Sequence, residues 1–489
     1  DATNFTYTDN VDGFNVALSY KNADFGNFDV PDGAIMHEEE EYHDEDEDHE
    51  EEEHHDEGEG FLANSDYELE STNIGISKTG DWGYFGTSVK SLENMHGIPF
   101  HEEDHDEDEH EEEEHEEERI FATTDSDKLD IMGSYNVNGS LLSAIDYSFR
   151  DTDYVLIEQH AEEEEHHDEE DHDEHGHEEG PTTFTNDASE FGLTFNLAGN
   201  QKFVINVADE ESSVIGAESF MNPVTSDETT FGYFSTQDYG QYVLDLGLRF
   251  DRIDRSGSVT ESEEHHEEEE HHDEEGETSY FDKSFDNISF AASLKRDLND
   301  YFDIDFGFAR VERAPSATEL FMNGPHLATQ RFEAGNTNLV VEESTNFELT
   351  VNYNNEGAYS SFTMYRNSVD NYIYLMDESE EEHEEHDEEH EEGHDDHEGL
   401  TLANFMQQNA EFEGVELQVG RMFELASGTL DLRYSRDEVS ATFDDGHDVP
   451  RITPARNMYS LAYTKDSMVF KLMLKDVDKQ SDVGEGETT

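Results

Sequence analysis

Twenty-four of the 27 histidines fall in five tracts that are otherwise largely Asp and Glu, at 37–57, 101–119, 158–179, 261–277 and 378–398. The same tracts hold 67 of the 128 carboxylates in about a fifth of the chain. Imidazole nitrogen with carboxylate oxygen is a donor set suited to tetrahedral Zn2+. Carboxylate alone would suit calcium or magnesium, and histidine moves the preference to zinc, nickel or copper. Copper would outbind zinc in most such sets, so the residues by themselves point to a divalent transition metal rather than to one element.

Spacing separates the tracts. The second reads GIPFHEEDHDEDEHEEEEHEEER from Gly97, with His101, His105, His110 and His115 at steps of 4, 5 and 5 and Arg119 at its close. The third contributes His166, His167 and His172, and the fourth the pairs His265-His266 and His271-His272. Many interchangeable, low-precision sites suit these three better than one fixed site. In the fifth, His383, His386, His390, His394 and His397 follow steps of 3, 4, 4 and 3. Those steps place them on one helical stripe where His386/His390 or His390/His394 could share a metal. That tract is expected to become helical on metal binding, although Gly393 and dense like charge oppose helix in the free state.

Three histidines stand outside the tracts. His326, in Asn323-Gly324-Pro325-His326, is the candidate fixed ligand, against a loop-packing role. His96, before Gly97, and His447, in Asp444-Asp445-Gly446-His447-Asp448, are metal-competent but suit an ordinary polar loop role better.

A formal charge of −102 excludes nucleic acid as a partner, because phosphate binding needs a cationic surface. It favours cations: a negative mouth concentrates divalent ions, an effect that salt screens over about 8 Å. Surrounding carboxylates are expected to raise the tract histidines' pKa, so metal capture should weaken as pH falls through that value. The absence of cysteine excludes disulfides, Cys-type zinc sites and thiol chemistry. The tracts have too little apolar surface to fold alone and are expected to be mobile without a ligand.

Between the tracts, apolar and polar residues alternate with period 2, as in strands with one apolar face. Tyr242, Leu244, Leu246, Leu248 and Phe250 alternate with Val243, Asp245, Gly247, Arg249 and Asp251. Phe302 to Phe308, Ile288 to Leu294 and Phe347 to Tyr353 repeat the pattern. The runs are about 9–14 residues long, whereas soluble strands average about 5–6 and membrane strands need about 9–11. No run of about 18 apolar residues offers a membrane helix.

Nine short turns, from Asn10-Gly13 to Lys465-Asp466, alternate with long connections near 23–65, 93–125, 157–186, 212–227, 255–280, 313–342, 376–407 and 438–455. All five tracts lie in long connections. The expected fold is all-β, a transmembrane antiparallel up-and-down β-barrel of about 18 strands with every long loop at one mouth. Asp1 opens directly in strand-like sequence without a signal peptide, and Glu487-Thr488-Thr489 closes in loop-like sequence. The expectation for 1–489 is therefore a barrel fragment.

Residues 308–350 are more specific. Arg313-Ala314-Pro315, Glu319-Leu320-Phe321, Asn323-Gly324-Pro325-His326, Gly335-Asn336 and Asn338-Leu339 followed by Glu343 resemble the extracellular-loop signature of TonB-dependent outer-membrane receptors. Within that family, Asn94 to His101 with its Gly-Ile-Pro step is most similar to zinc-uptake receptors with His/Asp/Glu-rich loops. The resemblance implies a 22-stranded barrel in the outer membrane of a Gram-negative bacterium, of which this sequence lacks the N-terminal plug and about four strands. It also implies energy-coupled import of a metal, most readily zinc, with outer-membrane lipid and an inner-membrane energy-coupling complex as partners.

A haem or siderophore receptor is the alternative, since Arg313-Ala314-Pro315 and Asn336-Thr337-Asn338-Leu339 flank His326 as in haem-uptake members. Thr337 replaces the usual proline, and this mouth would repel haem's carboxylates. A surface metal-sequestering protein would not need the signature. No nucleophile or unique acid/base pair suggests an enzyme, and no intrinsic cofactor is expected.

Overall fold

The computed structural model describes residues 1–30, 61–99, 119–160, 180–216, 219–260, 278–326, 329, 331–377 and 400–484. The chain begins with β1 (Ala2–Val11), β2 (Phe14–Phe25) and a small ladder of β3 (Phe28–Asp29) with β4 (Phe61–Leu62). Then follow β5 (Tyr67–Gly80), β6 (Gly83–Gly97), β7 (Ile120–Asn136), β8 (Leu142–His160) and β9 (Thr182–Leu197). The wall continues through β10 (Gln201–Ile215), β11 (Val224–Asp238), β12 (Tyr242–Thr260), β13 (Thr278–Asp297) and β14 (Phe302–Arg313). A one-turn helix α1 (Ala317–Phe321) and the hairpin β15 (Asn323–His326) and β16 (Arg331–Ala334) interrupt it. The chain then returns through β17 (Glu342–Asn355), β18 (Ala358–Asp377), β19 (Thr401–Leu425), β20 (Gly428–Phe443), β21 (Arg456–Lys465) and β22 (Met468–Val477).

Every long strand pairs antiparallel with its neighbours in chain order, β14 meeting β17 across the interruption. Among the described residues, the 20-stranded sheet includes β15 and β16, which leaves 18 wall strands, the number expected from the turns. All nine short turns lie where the Asn/Asp/Gly signals placed them. In the first, Asp12 and Gly13 have φ of 52° and 81°, the left-handed pair that matches the twist of a two-residue hairpin.

Strand length differs from expectation. The wall strands run from 10 to 25 residues rather than 9–14. The reason is that ladder hydrogen bonds continue after the apolar alternation stops: β12 stays paired with β13 as far as Thr260↔Thr278. The connection expected at 255–280 thus narrows to 261–277, and the one at 313–342 contains α1 and a hairpin that periodicity did not reveal.

The two faces of the wall differ chemically. Phe231, Phe250 and Ile288 stand side by side across three strands, and Ile288 is 56% exposed, as a membrane-facing belt requires. The opposite face carries Arg249, whose Nε donates to Asp251 at 2.7 Å, and Thr230, whose hydroxyl donates to the same carboxylate at 2.6 Å. This polar face is the inner one, because the 314–341 connection packs on it: the Phe321 ring lies over Gly257, and Arg255 donates to the Pro315 carbonyl at 2.7 Å.

That connection supplies the main core. Leu320, Phe321, Met322 and Leu339 join Val214, Phe220, Met221, Val224 and Ile373 in one buried apolar cluster at the long-connection end. A smaller cluster of Ala410, Ala441, Phe443 and Val449 lies under the β20–β21 connection.

Candidate metal centre

The Arg-Ala-Pro and Glu-Leu-Phe steps build a rigid base. Arg313 Nη1 donates to Glu319 at 2.9 Å and Nη2 to Glu342 at 3.1 Å, tying α1 to the end of β14 and the start of β17. Ser316 and Glu319 form a reciprocal capping box, so the single helical turn has its first donors satisfied. Leu320 and Phe321 are then driven into the cluster at 0% and 1% exposure. Gly324 and Gly335 allow close backbone approaches within this base. A Cβ at Gly324 would lie 2.8 Å from the Phe220 Cα, and one at Gly335 2.8 Å from three backbone atoms of 320–322. Asn336 fixes the return: its N–H donates to the Glu319 carbonyl at 2.8 Å, and its side-chain oxygen accepts from the Asn338 N–H at 2.9 Å.

On this base, β15 and β16 pair His326 with Arg331 and Gly324 with Glu333, so the three polar side chains share one face. His326 Nδ1 lies 3.1 Å from Glu333 Oε1, and its ring sits 5.2 Å from that of Phe220. Glu333 is buried, whereas the His326 side chain keeps 31% exposure. The Thr329 hydroxyl lies 3.0 Å from both Glu333 Oε1 and the His326 carbonyl. Arg331 forks onto Asp377, at the end of β18, with Nε and Nη2 each 2.8 Å from a carboxylate oxygen. This contact holds the Asp377 carboxyl below the usual carboxylate range. Beyond the hairpin, Arg331–Ala334 pairs in parallel with Thr401–Asn404 of β19.

His96 lies near the end of β6 rather than in a free loop, with Nδ1 3.2 Å from Asn94 Oδ1. His447 lies on an exposed turn, Nδ1 3.4 Å from Asp445 Oδ2, and its backbone N–H contributes most to lowering the Asp445 pKa. His96, His326 and His447 are not brought together: among the described residues no group of three or more His, Asp or Glu side chains could hold a metal ion. The other candidates, His101, His105, His110, His115, His166, His167, His172, His265, His266, His271, His272, His383, His386, His390, His394 and His397, lie outside the described residues.

The strand ends flanking all five tracts are described, and they lie at the mouth opposite the short turns. Three have specific ties. Arg119 donates to Asp66 at 2.6 Å, joining the ends of the first two tracts. Thr260 and Thr278 meet at 2.9 Å across the fourth, where Asn323 also donates to the Thr260 carbonyl at 2.8 Å. The Arg331–Asp377 pair marks the start of the fifth.

Sequence reasoning found His326 but not Glu333, Thr329, Arg331 or Asp377. Carboxylates are so common in this chain that Glu333 and Asp377 carried no distinguishing signal. The scarce cation Arg331 could have done so, set between His326 and Gly335-Asn336.

Among known proteins, residues 2–474 match the model of the family described as TonB dependent receptor-like, beta-barrel. Similar solved structures include the copper transporter OprC, with a TM-score of 0.68 at 12% identity, the match covering 99% of this chain and 66% of that one. The FrpB iron transporter from Neisseria meningitidis has a TM-score of 0.59 at 11% identity, covering 97% and 66%. The Serratia marcescens hemophore receptor HasR, solved with its hemophore and heme, has 0.58 at 11%, covering 96% and 71%. At these identities the likeness concerns the fold, and this chain spans about two thirds of the length of the first two. With the 18-strand wall and its apolar outer belt, the family match identifies the chain as a member of the TonB-dependent receptor β-barrels, outer-membrane proteins of Gram-negative bacteria.

Proposed function

We propose that this chain is the barrel of a receptor that captures a divalent transition metal, zinc foremost, at its long-connection mouth for energy-coupled import. The observation that carries the reading is the His326–Glu333 pair, built on a rigid base at the same mouth as all five His/acid connections. An ionised Glu333 can only accept, so Nδ1 would carry the proton and the lone pair of His326 would fall on Nε2, a tautomer in which histidine can ligate a metal. Glu333 would hold that ring in place, and the mouth's net negative charge would raise the local concentration of divalent ions.

The tract histidines are read as collecting ligands of low individual precision and His326 as the fixed one. Zinc rather than copper or nickel rests on the resemblance of the Gly-Ile-Pro loop to zinc-uptake receptors; the donor set suits all three metals. Outer-membrane lipid around the apolar belt and an inner-membrane energy-coupling complex are the partners this function requires.

The test is metal-limited growth of a strain lacking the full-length gene, supplemented in turn with zinc, nickel, copper and haem. A growth defect relieved by excess zinc is expected. Relief by haem alone would overturn the reading in favour of a haem receptor.

A further inference from the structure

We propose that Thr329, Arg331 and Asp377 are positioning residues for the His326 ligand, and that through them the ligand is keyed to both ends of the connection 378–399. This rests on the reading of His326 as a metal ligand.

The geometry is a continuous polar chain. Asp377 accepts two hydrogen bonds from Arg331 at 2.8 Å, and Arg331 Nη1 donates to the Thr329 carbonyl at 3.1 Å. The Thr329 hydroxyl reaches Glu333 Oε1 at 3.0 Å, and Glu333 holds His326 Nδ1 at 3.1 Å. Arg331 and Thr329 each use separate atoms for their two links, and the last two links meet on one oxygen, Glu333 Oε1. The bidentate fork is the most directional ion-pair geometry available to arginine, which suits a role of fixing rather than merely neutralising.

Placement gives the chain its meaning. Asp377 is the last residue of β18, directly before the connection 378–399, and Thr401, just past it, pairs with Arg331 in the parallel β16–β19 ladder. Arg331 therefore touches both ends of that connection and, across β15–β16, sits opposite His326. On the other flank, Asn323 donates to the Thr260 carbonyl at the start of 261–277. The hairpin is the one described element that links the ends of two His/acid connections to the proposed fixed ligand. Groups that orient a metal ligand typically matter by about 10–100-fold in affinity.

The test is Zn2+ titration of the detergent-solubilised full-length protein against a chelating competitor. The tight component is defined as the part lost in H326A. T329V removes the hydroxyl at constant shape and T329S restores it; D377N keeps the shape but removes the charge. R331K keeps the charge without the fork. We expect T329V, R331K and D377N each to weaken the tight component about 10-fold or more. T329S should bind as the unaltered protein does, and none of the changes should matter in an H326A background.

Affinity unchanged in T329V and D377N, with H326A still impaired, would overturn the positioning role. So would equal losses with and without His326, which would mean a purely structural effect. An H326A protein that binds as tightly as the unaltered one would instead refute the parent reading. Thermal unfolding of each variant monitors the fold, and should T329V fail to fold, D377N and R331K carry the test.

Discussion

Two kinds of long connection leave the same mouth, and they are made of opposite material. The connection 314–341 carries Leu320, Phe321, Met322 and Leu339, all buried, and folds back onto the inner wall around them. The tract 101–119 has fourteen carboxylates and four histidines among its 19 residues, and no apolar side chain. Burial of a Leu or Phe side chain contributes roughly 1.5–3 kcal/mol, enough for a few of them to fix a connection. For a tract without any, composition gives no such source of stabilisation. On the proposed function, the first kind presets a ligand and the second supplies many ligands without presetting any.

The largest test of this contrast is in metal capacity. Replacing all 24 tract histidines by glutamine should remove most of the Zn2+ bound per chain at saturation, whereas H326A should barely change capacity. Inductively coupled plasma measurement after equilibrium dialysis reads both. In the unaltered protein, capacity should be lower at pH 5.5 than at pH 7.5, because protons compete for imidazole. Equal capacity at the two values would show that carboxylates alone do the binding.

The next test acts on the rigid connection. Phe321→Ala empties a site 1% exposed and should cost about 3–5 kcal/mol locally. Hydrogen exchange of amides in 317–340 should accelerate while the β5–β8 wall stays protected. Protection unchanged at 317–340 would mean that the cluster does not hold the hairpin in place.

The smallest effect concerns the Arg331–Asp377 pair. Its carboxyl is held below its ordinary range by Arg331, so the pair's stabilisation is complete above the unfolded carboxylate pKa. It is lost as pH falls through the lowered folded value. The protection of Arg331–Ala334 and Thr401–Asn404, measured against the intrinsic exchange rate at each pH, should fall over that acid range in the unaltered protein. In D377N it should already be lower at neutral pH and no longer carry this pH-dependent component.

Much of the fold was legible in residue order. Period-2 alternation from Tyr242 to Phe250 announced a wall strand, and nine Asn/Asp/Gly turns counted the hairpins correctly. Both signals are local, set by side-chain polarity and by the backbone freedom of the turn residues. Strand ends were less legible: beyond Asp251, β12 has no apolar belt to match, yet its backbone remains paired up to Thr260. Hydrogen bonding to a neighbour extends a ladder regardless of what the side chains face.

The candidate site divides in the same way. His326 stood out because it lay outside the tracts and inside a receptor-like signature. Glu333 and Asp377 did not, being two carboxylates among 128. What sequence alone determined was the material: a two-faced wall, its turns, and an excess of metal-competent side chains on its long connections. What only the tertiary structure decided was which carboxylate meets which histidine. That choice depends on a hairpin folding back across the inner wall and pairing with a strand about 70 positions further along. Side-chain chemistry is written residue by residue, but partnership is set by where the buried apolar cluster lets the backbone come to rest.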